Sequence, residues 1–256
     1  MIRYSVLGSG SRGNTTYVEV DGAGILIDCG LSYVQIAKRL AVIGRDISYV
    51  SAIIISHSHG DHVKSLRKTL KYSDAVVVAP QDVDLAMFNP EHGRELSCFG
   101  EFVPYTITPF KLSHDVPCFG YAISDSDKNS LVYVSDTGCI PEESAPYIMS
   151  ASALIFEFNH DVDLLVESPY APETMERVFS DIGHMRNEES GAVLNALCGD
   201  SNRLNHLVLF HMSQNTNSIN LAMYEAKTAL EKSSCHVFNV AYQDKIMEPH
   251  NVLTLL

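Results

Sequence analysis

Ser56-His57-Ser58-His59-Gly60-Asp61-His62 follows directly on an apolar run at 50–55. A short β-branched run of this kind reads as a buried strand, and the glycine marks a turn at its end. Three histidines and one aspartate within six residues put four nitrogen and oxygen donors on that turn. Imidazole and carboxylate suit zinc, manganese, iron or nickel. On an irregular turn His57 and His59 can point to one ion while Asp61 and His62 point to a second. A metal centre at the C-terminal end of a strand is the first expectation.

Further strand-like runs lie at 2–7, 15–20, 25–27, 75–78, 131–134, 153–158 and 206–210. The first three follow one another without helical spacing, whereas the later ones alternate with helices. Ser32 caps a helix that carries Tyr33, Ile36, Ala37, Leu40 and Ala41 on one face and stops at Gly44. Asn187 caps another, with Val193, Leu194 and Leu197 inward and Gly199 after it. Ile219, Met223, Ala226 and Leu230 mark a third. This order predicts an α/β fold of two mixed β-sheets flanked by helices, in a single domain over 1–256.

With 46% hydrophobic and 19% charged residues the chain can bury a sizeable core, which excludes a disordered or collagen-like protein. A net charge of −13 argues against coating nucleic acid or membrane by bulk charge, and leaves a local basic patch open. No apolar run is long enough to span a bilayer. The opening MIRYSVLGSG does not read as a signal peptide. Six cysteines without a CxxC pair read as reduced thiols, so a cytoplasmic protein is expected.

Gly8-Ser9-Gly10-Ser11-Arg12-Gly13 matches a dinucleotide fingerprint in spacing, with Asp28 twenty residues on. That fingerprint needs a helix opening at the glycines, because its first amides hold the pyrophosphate. Thr15-Thr16-Tyr17-Val18-Glu19-Val20 alternates and is β-branched, so a strand follows instead. No nicotinamide cofactor is expected, and the loop is read as lining a site made elsewhere.

His57-x-His59-x-Asp61-His62 resembles the signature of the metallo-β-lactamase superfamily. The other ligands of that family have counterparts in order: His114 in Leu-Ser-His-Asp, Asp136 in Val-Ser-Asp-Thr-Gly, and His211 in Leu-Phe-His-Met-Ser. Asp28, in Leu-Ile-Asp-Cys-Gly, resembles the aspartate that holds the metal loop. The resemblance covers the whole chain and implies the four-layer αβ/βα sandwich. It also implies two divalent ions, zinc or manganese. His57, His59, His114 and Asp136 would hold one, and Asp61, His62, Asp136 and His211 the other.

Ile182-Gly183-His184-Met185 resembles the motif by which ribonuclease Z and related phosphodiesterases reach the scissile phosphate. Together with the Gly8 loop, Glu157-Phe158-Asn159-His160-Asp161 and Ser213-Gln214-Asn215, it is similar to the YycJ-type branch. That branch implies a metal-dependent phosphodiesterase, a 5′→3′ exonuclease with nucleic acid as substrate, DNA ahead of RNA. Asp61 and His184 are the catalytic candidates, while Ser9, Asn14, Asn159, His160 and Ser213 are the candidates for contacting substrate. Only 47 residues separate Asp136 from His184, too few for the clamp domain of β-CASP nucleases. Only 21 separate His114 from Asp136, too few for the ribonuclease Z arm. A small-phosphodiester or thioester hydrolase of the same fold is the alternative.

Lys64, Arg67, Lys68 and Lys71 are spaced to share the outer face of a helix after His62, with Val63, Leu66 and Leu70 inward. They are the candidates for steering a phosphate backbone. His92, His206, His236 and His250 fit no motif and read as structural or exposed.

Overall fold

Ala153 and Ile155 turn one way from their strand, and Leu154 and Phe156 turn the other, so one run feeds two apolar layers. The same alternation places Val208 and Phe210 on one side and Leu207 and Leu209 on the other. Strands buried on both faces must lie in the middle of a layered fold. The computed structural model describes residues 1–79, 101–102 and 105–252; His92 and Cys98 lie outside them.

The first sheet contains β1 (Ile2–Gly8), β2 (Thr15–Val20), β3 (Ala23–Ile27), β4 (Val50–Ile54), β5 (Val76–Val78) and β13 (His250–Val252), in the order β13-β1-β2-β3-β4-β5. β1, β2 and β3 pair antiparallel, whereas β3, β4 and β5 run parallel. The second sheet contains β6 (Glu101–Phe102), β7 (Tyr105–Leu112), β8 (Cys118–Ser124), β9 (Ser130–Tyr133), β10 (Ala153–Glu157), β11 (His206–Phe210) and β12 (Val237–Val240), in reverse chain order. It is antiparallel from β6 to β9 and parallel from β9 to β12. Both sheets are therefore mixed.

Tyr4, Ile25, Tyr121, Tyr133 and Phe210 fill the space between the sheets. α1 (Tyr33–Val42) and α3 (Leu66–Leu70) cover the first sheet through Ile36, Leu40, Leu66 and Leu70. α4 (Ala145–Met149), α7 (Asn187–Cys198) and α8 (Ile219–Ala229) cover the second through Ile148, Leu194, Ala222 and Ala226. The result is the expected four-layer αβ/βα sandwich. No helix among the described residues is long and apolar enough to cross a membrane.

Three local expectations need correction. The helix after His62 is two short ones, α2 (Gly60–Val63) and α3, because the Ser65 amide bonds the Cys29 carbonyl at 3.0 Å. Its basic residues are nevertheless exposed, and Val63, Leu66 and Leu70 are buried. Asn187 is the first residue of α7 rather than its cap; its side chain is spent on a reciprocal pair with Asn217. Ala41 is exposed rather than on the inner face of α1, whose buried residues include Arg39. That guanidinium donates to the carbonyls of Leu7 and Gln243, beneath the glycine loop. The loop itself leads into β2, and no helix begins there.

At the end of the sandwich away from His211, His206 ties the sheets together. Asn239 Nδ2 donates to His206 Nε2 at 2.7 Å, so Nδ1 carries the proton and faces the Tyr4 hydroxyl at 2.6 Å. Burial, then His250 and His236, pushes the His206 pKa down to about 3. The unfolded chain therefore binds a proton that the folded chain refuses between pH 6.5 and 3, and stability falls as pH falls through that window. Unfolding followed between pH 6 and 4 should show a slope for His206→Gln shallower than wild type by about 1.4 kcal/mol per pH unit. Equal slopes would remove His206 from the acid response.

Candidate metal centre

Strands of both sheets deliver the site from their carboxyl ends. β3 ends at Asp28, β4 leads into His57–His62, β7 into His114, β9 into Asp136 and β11 into His211. Convergence at the carboxyl ends of strands is where layered α/β folds place their chemistry. Three of these positions, Asp28, Asp136 and His211, sit at positive φ (62°, 59° and 53°). The left-handed backbone turns each side chain inward at the strand end, at a conformational cost typical of functional positions.

Asp28 is fully buried and organises the metal loop. Its Oδ1 accepts from the Ser56 amide at 2.8 Å. Its Oδ2 takes the Ser56 hydroxyl at 2.8 Å, His62 Nδ1 at 2.7 Å and the Tyr133 hydroxyl at 3.3 Å. The loop is also clamped from the backbone: the Cys29 amide donates to the His62 carbonyl and the Asn14 amide to that of Asp61. Only glycine fits at position 30, since a Cβ there would lie 1.5 Å from the Asp61 carbonyl oxygen.

Around this frame the side chains gather in four overlapping groups whose donor atoms lie within 4.8 Å of one another: His57/His59/His114, His57/His62/Asp136, Asp61/His62/His211 and Asp136/His184/His211. His57, His62, Asp136 and His211 each occur in two of these groups, as shared or neighbouring ligands would. His57 Nε2 and His211 Nε2 are buried and make no hydrogen bond, which is costly unless a cation takes the lone pair. Burial, helped by His62, pushes His57 well below the usual histidine range, and burial also lowers His114. Burial works against a charged His62 and His211, but the carboxylates around them prevail. Asp136 and Asp28 raise His62, and Asp136, Asp61 and Glu157 lift His211 to about 10. The carboxylates thus demand positive charge at this point, and a divalent cation with neutral imidazoles meets the demand. The residues fit divalent metal binding.

All seven expected ligands, His57, His59, Asp61, His62, His114, Asp136 and His211, are brought together, with His184 beside them. His184 Nδ1 lies 2.7 Å from Glu157 Oε1. The Glu157 carboxyl is fully buried; burial alone would raise its pKa, but His184 and His211 hold it below the usual range. Four of the substrate candidates are buried instead of facing the mouth. The Ser9 hydroxyl accepts from the His211 amide at 2.8 Å, and Asn159 Nδ2 donates to the His211 carbonyl at 2.8 Å. Asn14 is fully buried beside His62 Nε2 at 2.9 Å. His160 is buried with neither ring nitrogen paired, and burial pushes its pKa to about 4. Ser213 shapes the turn after His211 by accepting from Thr216.

The chain matches the metallo-beta-lactamase superfamily over residues 8–140. It is 31% identical over 230 residues to exodeoxyribonuclease WalJ of Streptococcus pneumoniae D39, covering 86% of this chain and 85% of the relative. To exodeoxyribonuclease YycJ of Bacillus anthracis it is 31% identical over 241 residues, 90% of either chain. The chain belongs to the metallo-beta-lactamase superfamily, on its WalJ/YycJ branch. The solved metallo-beta-lactamase fold protein YhfI of Bacillus subtilis aligns with a TM-score of 0.72 at 19% identity, over 97% of this chain and 100% of that one.

Within that superfamily frame, two groups at this site escaped the sequence reading. Glu157 stood in a quoted motif without a role, because its partner His184 comes 27 residues later. Asp115 stands 3.1 Å from His59 Nε2, 3.3 Å from His114 Nε2 and 3.6 Å from Arg177. Its position directly after His114 was the available signal. The Cys29 thiol is pushed up to about 12, chiefly by burial, and is inert although its backbone touches the metal loop. The frame yields a direct expectation. Asp28→Asn keeps the shape but can no longer accept from every donor, so chelator competition should show metal affinity 10- to 100-fold weaker. Unchanged affinity would mean that Asp28 does not organise the centre.

Proposed function

We propose that this metal-dependent hydrolase is a single-domain, cytoplasmic DNA phosphodiesterase that works as a 5′→3′ exonuclease and holds two divalent ions, zinc or manganese. The observation that carries the reading is His184, anchored on buried Glu157 and placed beside Asp136 and His211. A purely structural metal site has no use for such a group. The names of the WalJ and YycJ relatives support DNA as the polymer and exonuclease as the class.

His57, His59, His114 and Asp136 would hold one ion, and Asp61, His62, Asp136 and His211 the other. Bound divalent ions supply Lewis acidity there, lowering the pKa of water and offsetting phosphate charge. Asp61, less buried than His62 and Asp136, contributes its carboxylate at the mouth. Glu157 stays ionised and accepts a hydrogen bond from Nδ1–H of His184. With the ring doubly protonated, Nε2–H gives its proton to the departing oxygen and His184 is left neutral, still held on Glu157 through Nδ1–H. Ser9 and Asn159 hold His211 in place by its backbone, and Asn14 holds the Asp61 segment. Between Asp136 and His184 the chain forms only short elements, α4, β10, α5 (Val162–Val166) and α6 (Pro172–Phe179), so substrate is gripped by the core's own loops. Lys64, Arg67, Lys68 and Lys71, exposed after the metal loop, carry the phosphate backbone.

DNA and RNA labelled at either end, a chromogenic phosphodiester and a thioester, offered in parallel, test this. The 5′ label on DNA should be released first, ahead of RNA and thioester; faster thioester turnover would return the small-substrate hydrolase. His184→Ala should keep its metal and thermal midpoint while losing roughly 10²–10⁴ in kcat. Loss of metal from that variant would make His184 a ligand instead of an acid.

A further inference from the structure

Tyr33 and Tyr72 stack on each other with ring centroids 4.6 Å apart and planes at 21°. They do so at the surface: Tyr72 is 56% exposed, and neither ring packs in the core beneath α1 and α3. Lys68 Nζ stands over the Tyr33 ring at 5.9 Å. Tyr33 is half-buried, and the ring of Tyr72 stacked on it keeps most of its surface in water, a placement that asks for a ligand with a flat face.

Both rings are carried by segments that adjoin the metal loop. The Gly30 backbone packs on the Asp61 carbonyl, and Tyr33 is three residues on, its Cα within about 11 Å of that contact. Tyr72 follows α3, which begins four residues after His62. Between His62 and Tyr72 the chain carries Lys64, Arg67, Lys68 and Lys71, all exposed, and no Asp or Glu. The run that carries Tyr72 is therefore locally positive in a chain of −13. Flat faces among cations, continuous with a metal centre, match a single nucleic-acid strand: phosphates on the cations, a base on the ring.

We propose that Tyr72, backed by Tyr33 and flanked by Lys68 and Lys71, is a base-stacking platform that holds the single-stranded arm of the DNA substrate a short way from the scissile phosphate. This rests on the nuclease reading above and adds a subsite to it. The platform contributes binding, not chemistry, and it is tolerant of sequence because every base has a π-face.

The test compares a 5′-phosphorylated single-stranded 12-mer with a small chromogenic phosphodiester, in wild type, Tyr72→Ala, Tyr72→Leu and Tyr72→Phe. KM for the 12-mer should rise roughly tenfold in the Ala and Leu variants and return in Phe, with the chromogenic kcat/KM unchanged throughout. A single abasic nucleotide walked along the 12-mer should raise the wild-type KM at one position, and Tyr72→Ala should lose that sensitivity. Leu keeps an apolar contact on Tyr33, which guards against a folding defect in Ala. If wild type cuts the 12-mer and the Ala and Leu variants do so equally well, the platform falls and the nuclease reading stands. If wild type turns over the chromogenic ester but not the 12-mer, the nuclease reading falls and the platform falls with it.

Discussion

One buried carboxylate holds the site together. Asp28 lies at the end of β3 with no exposure, and its two oxygens accept from the Ser56 amide, the Ser56 hydroxyl, His62 and Tyr133. Those partners come from the end of β4, the metal loop and the facing sheet. A charge buried alone would be untenable, and four donors make it tenable only if all of them stay in place. Stability of the sheet ends and geometry of the metal loop are therefore one constraint. It fixes His62 by Nδ1, which aims Nε2 at Asp136, 3.2 Å away.

The same economy of parts recurs across the cavity. Asp136 and His211 sit at strand ends in the left-handed region, and the His211 backbone is held from both sides by Ser9 and Asn159. Burial would neutralise Asp136, yet His211 and His62 drive its carboxyl well below the ordinary range. A cluster in which carboxylates and imidazoles each distort the other's ionisation is poised for cations. Glu157, buried and ionised at the end of β10, extends this charge network outward to His184 at the rim.

The cluster of candidate ligands was legible because donor residues follow apolar strands, a local pattern that needs no knowledge of the fold. Strands β1 to β4 were legible from the same alternation. β7 was not: Pro109 and its threonines mask it, and the proline is tolerated because β6 pairs only at Tyr105 and Thr106. The roles of Ser9, Asn14 and Asn159 were hidden for a different reason. Polar residues in a motif look alike whether they meet substrate or brace a ligand, and only burial separates the two. Arg39 and Glu157 depend on partners far away in sequence, so their periodic surroundings said nothing of them.

Four exposed cations, Lys64, Arg67, Lys68 and Lys71, follow the metal loop in an otherwise acidic protein, a local patch of the kind that attracts a polyanion. That arrangement is useful if the centre holds enough positive charge to work on a phosphodiester. The central claim is therefore a dinuclear site. Elemental analysis of protein purified without chelator and saturated with zinc or manganese should give two equivalents per chain, and Asp136→Ala should lose both together. A stoichiometry fixed at one equivalent would contradict the account.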